Sequence, residues 1–355
     1  MRILHIDGGR RWGGGQNQVR LLVRELAKRA EVEQTCLCPS GSLLAERLRD
    51  EGRDVETIPW EHGTDLKAFR AIARRVRAFD ILHCHDGHAF QLAMIPAKLR
   101  RRPLVAARRV CFTTRPLKWN QATRVVAISD AVRTLLIESG VREDRIRVVP
   151  SGIDPAEVVA LQPLDPPLRE RLGIKSRQFL AGTVGTLLEY KNQTLIPQAA
   201  ARLRDVHWVI VGEGPQRAVI QNAITAHGVG AHVQLPGNIA DARRSLREFD
   251  VFVFTSQGEA LGTSILDAMA AGVPVVAADD AGPAEILRPV HARTGANLYP
   301  PGDPDALAAL VRRVRDEPTL APLMASLQRE RIVDYHIAKT AEGTLGVYRE
   351  VMRRP

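Results

Sequence analysis

Gly258–Val276 reads GEALGTSILDAMAAGVPVV. The apolar run before it, DVFVFTS (Asp250–Ser256), has the composition of a buried strand. Glu259 follows that run, and Asp267 falls inside a helix expected from about Ser264 to Ala271. Between the two acids lie Gly262, Thr263 and Ser264, small residues suited to a helix start. A helix N-terminus offers unpaired N–H groups and a partial positive charge, which favours a phosphate. The Thr263 or Ser264 hydroxyl can add a contact. In such an arrangement the amides meet the phosphate, and the two carboxylates meet the hydroxyls of a sugar and a ribose. A strand, a loop and a polar-capped helix are also ordinary α/β structure, where two acids are simply solvated.

The flanking segments separate these readings. Upstream stand WVIVGEGPQR (Trp208–Arg217) and VQLPGNI (Val233–Ile239). Downstream come AGPAEIL (Ala281–Leu287) and LYPPGDPDALAALV (Leu298–Val311). Earlier are ILHIDGGRRWGGGQNQVRLLVRELA (Ile3–Ala27), VVAISDAVRTLL (Val125–Leu136) and IRVVPSGIDP (Ile146–Pro155). In this order the motifs resemble retaining glycosyltransferases of family 4, over nearly the whole chain. That family's donor signature is an acid, seven residues and a second acid; here it reads Glu259 and Asp267. The resemblance implies the GT-B fold: two doubly wound Rossmann-like α/β domains facing each other across a cleft.

Length and charge set bounds. A chain of 355 residues suggests two domains. No apolar run approaches the roughly 18–20 residues that span a bilayer, and the start lacks a signal peptide's apolar region and cleavage site. Cys36, Cys38, Cys84 and Cys111 form no CxxC pair and read as reduced thiols of a cytoplasmic protein. Residues 1–150 carry 28 Lys+Arg against 17 Asp+Glu, so the excess behind the chain's net +10 lies in the first half. Its arginines cluster at Arg74, Arg75 and Arg77, at Arg100–Arg102 and at Arg108–Arg109. Such a surface suits an anionic partner, an acidic glycolipid or a membrane face, which would make the protein peripheral on the inner face of the cytoplasmic membrane. The same count is met by an arginine-rich chain with solvated helix faces.

Apolar strands alternate with helix-length segments throughout, which indicates parallel sheets with helices on both faces. GIDPAEVVALQPLDPPLRE (Gly152–Glu170) has four prolines and suits a connection between domains. The expected division is 1–163, 164–335, and a terminal helix over 336–355 that, by the resemblance, returns to the first domain.

The remaining motifs each carry two readings. Gly13–Gly15 let backbone approach a ligand or form a flexible turn. LHCHDGHAF (Leu82–Phe90) has a tempting metal spacing, yet His83 and His85 share one strand face and Asp86 lies across from them, so no metal is expected. His85, Asp86 and His88 are either acceptor-side groups or strand-end polar residues. Gly212-x-Gly214 follows a strand, but Arg217 stands in place of a third glycine and no ribose-binding acid follows, which argues against a dehydrogenase. Glu213 belongs to a nucleotide pocket or merely turns the chain. Glu285 contacts the donor sugar or caps the helix after it.

The resemblance assigns roles residue by residue. Glu259 would hold the donor sugar and Asp267 the ribose. Lys191 matches the lysine that neutralises the leaving diphosphate, whereas Thr186 stands where relatives carry the arginine of that pair. Arg108 or Arg109 is the candidate replacement, with Arg109 grouped with Glu259 and Lys191 as catalytic. Gly14, Gly15, Glu213 and Leu261–Ser264 would complete the donor side, and Gln16 the acceptor side. The implied enzyme is a retaining, metal-independent hexosyl- or heptosyltransferase. It needs no cofactor beyond the nucleotide-sugar co-substrate. Its acceptor would be a glycan or glycolipid such as a bacterial lipopolysaccharide core. A sugar-nucleotide epimerase of the same fold is the alternative within enzymes, separable by product analysis without acceptor. A basic nucleic-acid-binding protein is the other. It is disfavoured because aromatics are only 5% and no binding motif is present, so no nucleic-acid partner is expected.

Overall fold

The computed structural model describes residues 1–61 and 65–353. The chain divides into two compact units, Met1–Ile153 with the segment from His336 onward, and Asp154–Tyr335. The first unit runs β1 (Arg2–Ile6), α1 (Gly14–Leu26), β2 (Glu33–Pro39), α2 (Leu43–Asp50), β3 (Val55–Ile58), α3 (Leu66–Arg75), β4 (Ile81–Cys84), α4 (Gly87–Leu99), β5 (Leu104–Arg108), α5 (Pro116–Trp119), β6 (Arg124–Ala127), α6 (Asp130–Glu138) and β7 (Ile146–Val148). The second runs α7 (Pro155–Val159), α8 (Leu168–Arg171), β8 (Leu180–Val184), α9 (Leu195–Arg202), β9 (His207–Val211), α10 (Arg217–Ala226), β10 (Val233–Gly237), β11 (Val251–Phe254), α11 (Thr263–Ala270), β12 (Val275–Ala278), α12 (Ala281–Thr294), β13 (Leu298–Tyr299), α13 (Pro304–Asp316) and α14 (Leu320–Ile332). The closing helix, α15 (Ile337–Met352), belongs to the first unit.

Both sheets are parallel. Their strand orders are β3-β2-β1-β4-β5-β6-β7 and β10-β9-β8-β11-β12-β13. Strands such as Leu82, Val105, Val125 and Val276 are buried on both faces, as crossover helices on each side require. Each order reverses once, between β1 and β4 and between β8 and β11. At such a reversal the loops leaving the two strands diverge and open a crevice at the strands' C-terminal ends, where α/β sheets bind ligands. In the first unit those loops begin at Asp7 and His85. In the second they begin at Gly185 and Thr255.

The division falls after Ile153, ten residues before the boundary expected from the prolines. The cause is a set of bonds within the second unit. Asp154 caps α7 through Ala156 N at 3.0 Å, and α7 packs on α11. Arg243 reaches Glu157 at 3.1 Å, Arg244 donates to the carbonyls of Gln162 and Pro163 at 2.9 and 2.6 Å, and Arg247 to that of Val159 at 2.6 Å. Proline loosened the helices here but did not free the segment.

α15 closes the first unit with an apolar stripe of Ile337, Ala341, Leu345, Tyr348 and Val351, spaced to face one side of a helix. From Ala341 onward the stripe joins Ile3, Leu22, Ile81, Val105 and Val126 in one core. Glu350 anchors its end. Its Oε1 accepts from Arg124 Nη2 at 2.5 Å and from Arg147 Nη2 at 2.7 Å, and Arg124 is 1% exposed. The Arg124 hydrogen bond, with help from Arg147 and against the effect of burial, pulls the Glu350 carboxyl down to about 2. Among the described residues, no helix is long and apolar enough to cross a membrane. All four cysteines are free thiols.

Candidate functional site

The second unit's crevice is built from the loops after β8 and β11. The β8 loop turns through a short 3-10 helix, Glu189–Lys191, and the β11 loop carries Glu259. Lys191 Nζ and Glu259 Oε2 form an ion pair, with both side chains largely covered. Thr255 Oγ1 donates to the Lys191 carbonyl at 2.7 Å, and Gln257 N to the Tyr190 carbonyl at 2.8 Å, so the two loops are also stitched through backbone. Lys191 Nζ lies 5.1 Å from the Tyr190 ring and 5.3 Å from that of Phe254, faces that favour a cation.

The β11 loop then enters α11 at Gly262. This residue sits at φ +94°, a conformation that side chains resist, and no side chain caps the helix. The N–H groups of Thr263 and Ser264 therefore begin the helix with no capping side chain. Two further constraints hold this turn. Gly258 N donates to Asp280 at 2.6 Å, and Gly282 N to the Glu259 carbonyl at 3.1 Å. A Cβ on Gly282 would lie 2.3 Å from Leu261 Cα, so α12 can press against the loop only with glycine there. Leu261, 1% exposed, is a packing residue.

Asp267 lies on the second turn of α11, which packs on α7 and on the 3-10 helix Ala242–Glu248. Burial raises its carboxyl to about 7, opposed by Arg243 and reinforced by the charges of Asp241 and Glu157. Arg243 is itself held by Asp241 through two contacts at 2.7 Å. The sequence reading had isolated Asp267 and missed these three neighbours. The signal for two of them, Asp241 and Arg243, was ADARR (Ala240–Arg244), a charged run in the loop after β10.

Other expected donor residues play plainer parts. Thr186 accepts through its carbonyl from Gln193 Nε2 at 3.2 Å. Glu213 pairs with Arg217 at 2.6 Å on an exposed edge. Gly212 and Gly214 serve the close packing of two loops, since Cβ atoms there would meet the carbonyl oxygens of Gly185 and Leu187 at 2.0 and 2.4 Å. Glu285 lies inside α12 and does not cap it; Asp280 occupies that helix's N-cap position.

In the first unit, Gly13 is the N-cap of α1 in extended conformation, and Gly14 and Gly15 form the first turn of that helix rather than a loop before it. Gln16 Nε2 reaches back to Asp7 Oδ1 at 3.3 Å. Asp86 is fully committed. Its Oδ1 caps α4 through His88 N and Ala89 N at 2.7 and 2.9 Å, and its Oδ2 accepts from Gly8 N at 2.5 Å. His88 is exposed in the first turn of α4. Arg108 donates to the Phe112 carbonyl and lies 5.3 Å over the Trp119 ring.

His85 is buried in a stack with His5 and His83, and the three could be taken for a metal site. Hydrogen bonds already occupy two of these rings, His85 and His5. Arg109 Nη2 lies 3.2 Å from His85 Nδ1, and a guanidinium only donates, so that nitrogen is the acceptor. The proton is then on His85 Nε2, which donates to His5 Nδ1 at 2.9 Å. His5 in turn donates from Nε2 to Gln34 Oε1 at 3.2 Å. This direction leaves no lone pair on His85 for a metal. Burial lowers the pKa of all three rings, His5 to about 4, so they sit neutral beside the Arg109 cation. Arg109 also donates to Ser151 Oγ at 3.3 Å.

Residues 165–331 match the family described as glycosyl transferases group 1, and residues 12–157 match glycosyltransferase family 4. The 2-deoxystreptamine glucosyltransferase of Streptomyces kanamyceticus is 31% identical over 219 residues, covering 59% of this chain and 55% of that protein. The lipopolysaccharide core biosynthesis glycosyltransferase LpsE of Rhizobium meliloti is 26% identical over 94% of each chain. Among solved structures, HepE of Anabaena in complex with UDP-glucose superposes with a TM-score of 0.85 over 99% of this chain and 100% of that one. At 22% identity this last is a likeness of fold, and it is a GT-B fold.

The raised Asp267 carboxyl yields a test of the site's electrostatics. Its folded-state value of about 7 lies above the ordinary 3.8, so the protein loses stability as pH rises between the two. Asp267→Asn removes that cost. In a thermal melt the variant is expected to unfold about 5 °C above the parent at pH 8, with the difference closing toward pH 4. A lower melting temperature at pH 8 would show that Arg243 holds the ionised form.

Proposed function

The chain belongs to glycosyltransferase family 4, and from that premise we propose that it moves a sugar from a nucleotide-sugar donor to a glycan or glycolipid acceptor with retention of configuration. The observation that carries this reading is the Lys191–Glu259 pair beside the uncapped N-terminus of α11, at the strand-order reversal of the second unit. Lys191 and the Thr263 and Ser264 amides meet the charge that develops on the diphosphate, an electrostatic role that needs no metal. Glu259 turns from Lys191 to the donor sugar's hydroxyls once the diphosphate takes the lysine. Asp267 takes the ribose hydroxyls, and loses its proton in doing so. The bond from the anomeric carbon to the phosphate oxygen breaks, and a bond to the acceptor oxygen forms on the same face. The acceptor's proton passes to the departing phosphate oxygen.

The acceptor reading draws on the first unit's charge. Residues 66–124 hold 14 Lys+Arg and 2 Asp+Glu, more than the whole chain's excess. On α3 and at the end of α4, Lys67, Arg70, Arg74, Lys98, Arg100 and Arg101 are exposed, and none of them is ion-paired among the described residues. Leu66, Ile95 and Leu99 stand exposed on the same two packed helices, Leu99 at 75%. Cations interleaved with apolar side chains suit an anionic bilayer, and so an acceptor carried on a lipid, a reading supported by LpsE's part in lipopolysaccharide core biosynthesis.

Two measurements test these parts. In thermal melts with UDP, GDP, ADP and CMP and their sugar conjugates, one base is expected to stabilise the protein. Near a hundredfold excess over Kd the gain is about 2.7 kcal/mol, and Lys191→Ala should abolish most of it. Silence from every nucleotide on folded protein would defeat the donor reading. In co-sedimentation with phosphatidylcholine vesicles containing phosphatidylglycerol, binding should fall with salt and drop at least tenfold in an Arg100, Arg101, Arg102 triple alanine variant. Equal binding to neutral vesicles would remove the electrostatic case.

A further inference from the structure

The first unit has its own strand-order reversal, between β1 and β4, and Asp7 stands at its mouth. Asp7 is 3% exposed. Its Oδ1 accepts from Gly9 N at 2.8 Å and from Gln16 Nε2 at 3.3 Å. Its Oδ2 receives no hydrogen bond among the described residues. Oδ2 is not sealed off within the unit, so it is open to a partner entering from the crevice. The groups around it are already used: both oxygens of Asp86 and both ring nitrogens of His85 are bonded within the unit. The surrounding backbone is shaped to keep this geometry. A Cβ on Gly9 would lie 2.2 Å from Gln16 Nε2 and 2.9 Å from Asp7 Oδ1, so only glycine lets the glutamine reach the carboxylate.

We propose that Asp7 Oδ2 receives a hydrogen bond from a hydroxyl of the acceptor sugar, with Oδ1 anchored so that Oδ2 is presented in one orientation. Asp7 is thereby an acceptor-positioning residue, on the transferase reading given above. The group is kept at a cost. Burial first, then the charge of Asp86, raises its carboxyl to about 6, against the Gly9 and Gln16 hydrogen bonds and the Arg109 cation. The thiols of Cys36 and Cys38, on the neighbouring strand β2, are raised and stay protonated, so they add no charge near neutrality. A purely structural anchor needs only Oδ1, which asparagine supplies equally well.

Asp7→Asn separates the two roles, because it keeps an oxygen for Gly9 and Gln16 and turns Oδ2 into a donor. The full chain is melted at pH 8 and pH 4, titrated with the stabilising nucleotide, and assayed for transfer from its sugar conjugate to a detergent extract of the source cells' membranes. Asp7→Asn should melt at or above the parent at pH 8 and bind nucleotide within twofold of it. Its half-saturating extract concentration should rise at least tenfold, with the donor KM within twofold. A half-saturating extract concentration within twofold of the parent's overturns the proposal, as does a lower melting temperature at pH 8. If Asp7→Asn does not fold, Asp7→Ser is judged on the same split between donor and extract. No transfer by the parent with any sugar nucleotide defeats the transferase reading, and this inference with it. Transfer by the parent that Asp7→Asn leaves unchanged defeats this inference alone.

Discussion

The ion pair between Lys191 and Glu259 ties together two loops that leave adjacent strands in a sheet whose order reverses between them. Without a ligand, each charge is the other's partner, which keeps two largely covered ions from standing alone. On the transferase reading proposed above, a nucleotide sugar would offer each a partner of its own, the diphosphate for the lysine and sugar hydroxyls for the glutamate. Other parts of the second unit hold the two loops in place. Gly262 at φ +94° aims the first amides of α11, Gly282 lets α12 support the turn from behind, and Thr255 fixes the lysine's own backbone.

The two units solve the same problem with different chemistry. Each is a parallel sheet whose polar residues gather where the strand order turns. In the second unit the gathered groups are a cation, a carboxylate and helix amides, which suit a phosphate and a sugar. In the first they are Asp7, Gln16, Asp86 and Arg109 over three neutral imidazoles. The imidazoles bond in two groups: the Arg109 guanidinium fixes the direction from His85 through His5 to Gln34, and His83 Nδ1 bonds to the Tyr348 hydroxyl. They give a buried cation a polar bed without adding charge.

Sequence made the fold legible because parallel strands buried on both faces are nearly continuous apolar runs, and thirteen of them recur at helix-length intervals. Lys191 and Glu259 could be singled out from the motifs in the loops after β8 and β11, although no local pattern showed that they pair. Three things were not legible. The boundary after Ile153 depends on Arg243, Arg244 and Arg247 reaching across more than eighty residues to loop carbonyls and Glu157, which no local pattern encodes. Asp267's raised carboxyl comes first from burial, with Arg243 opposing and Asp241 and Glu157 adding to it, and that burial arises only once α7 and the Ala242–Glu248 turn pack on α11. Asp86 and His85 looked available beside a strand end, and only the hydrogen bonds show their polar atoms to be occupied. Asp7, one residue past β1, was overlooked because a single acid before two glycines has the look of a turn.

The most direct measurement is a crystal structure of the full chain with the nucleoside diphosphate that stabilises it. The terminal phosphate should accept from Thr263 N and Ser264 N, with Lys191 Nζ moved from Glu259 onto a phosphate oxygen. A diphosphate bound elsewhere, with the Lys191–Glu259 pair intact, would contradict the central claim.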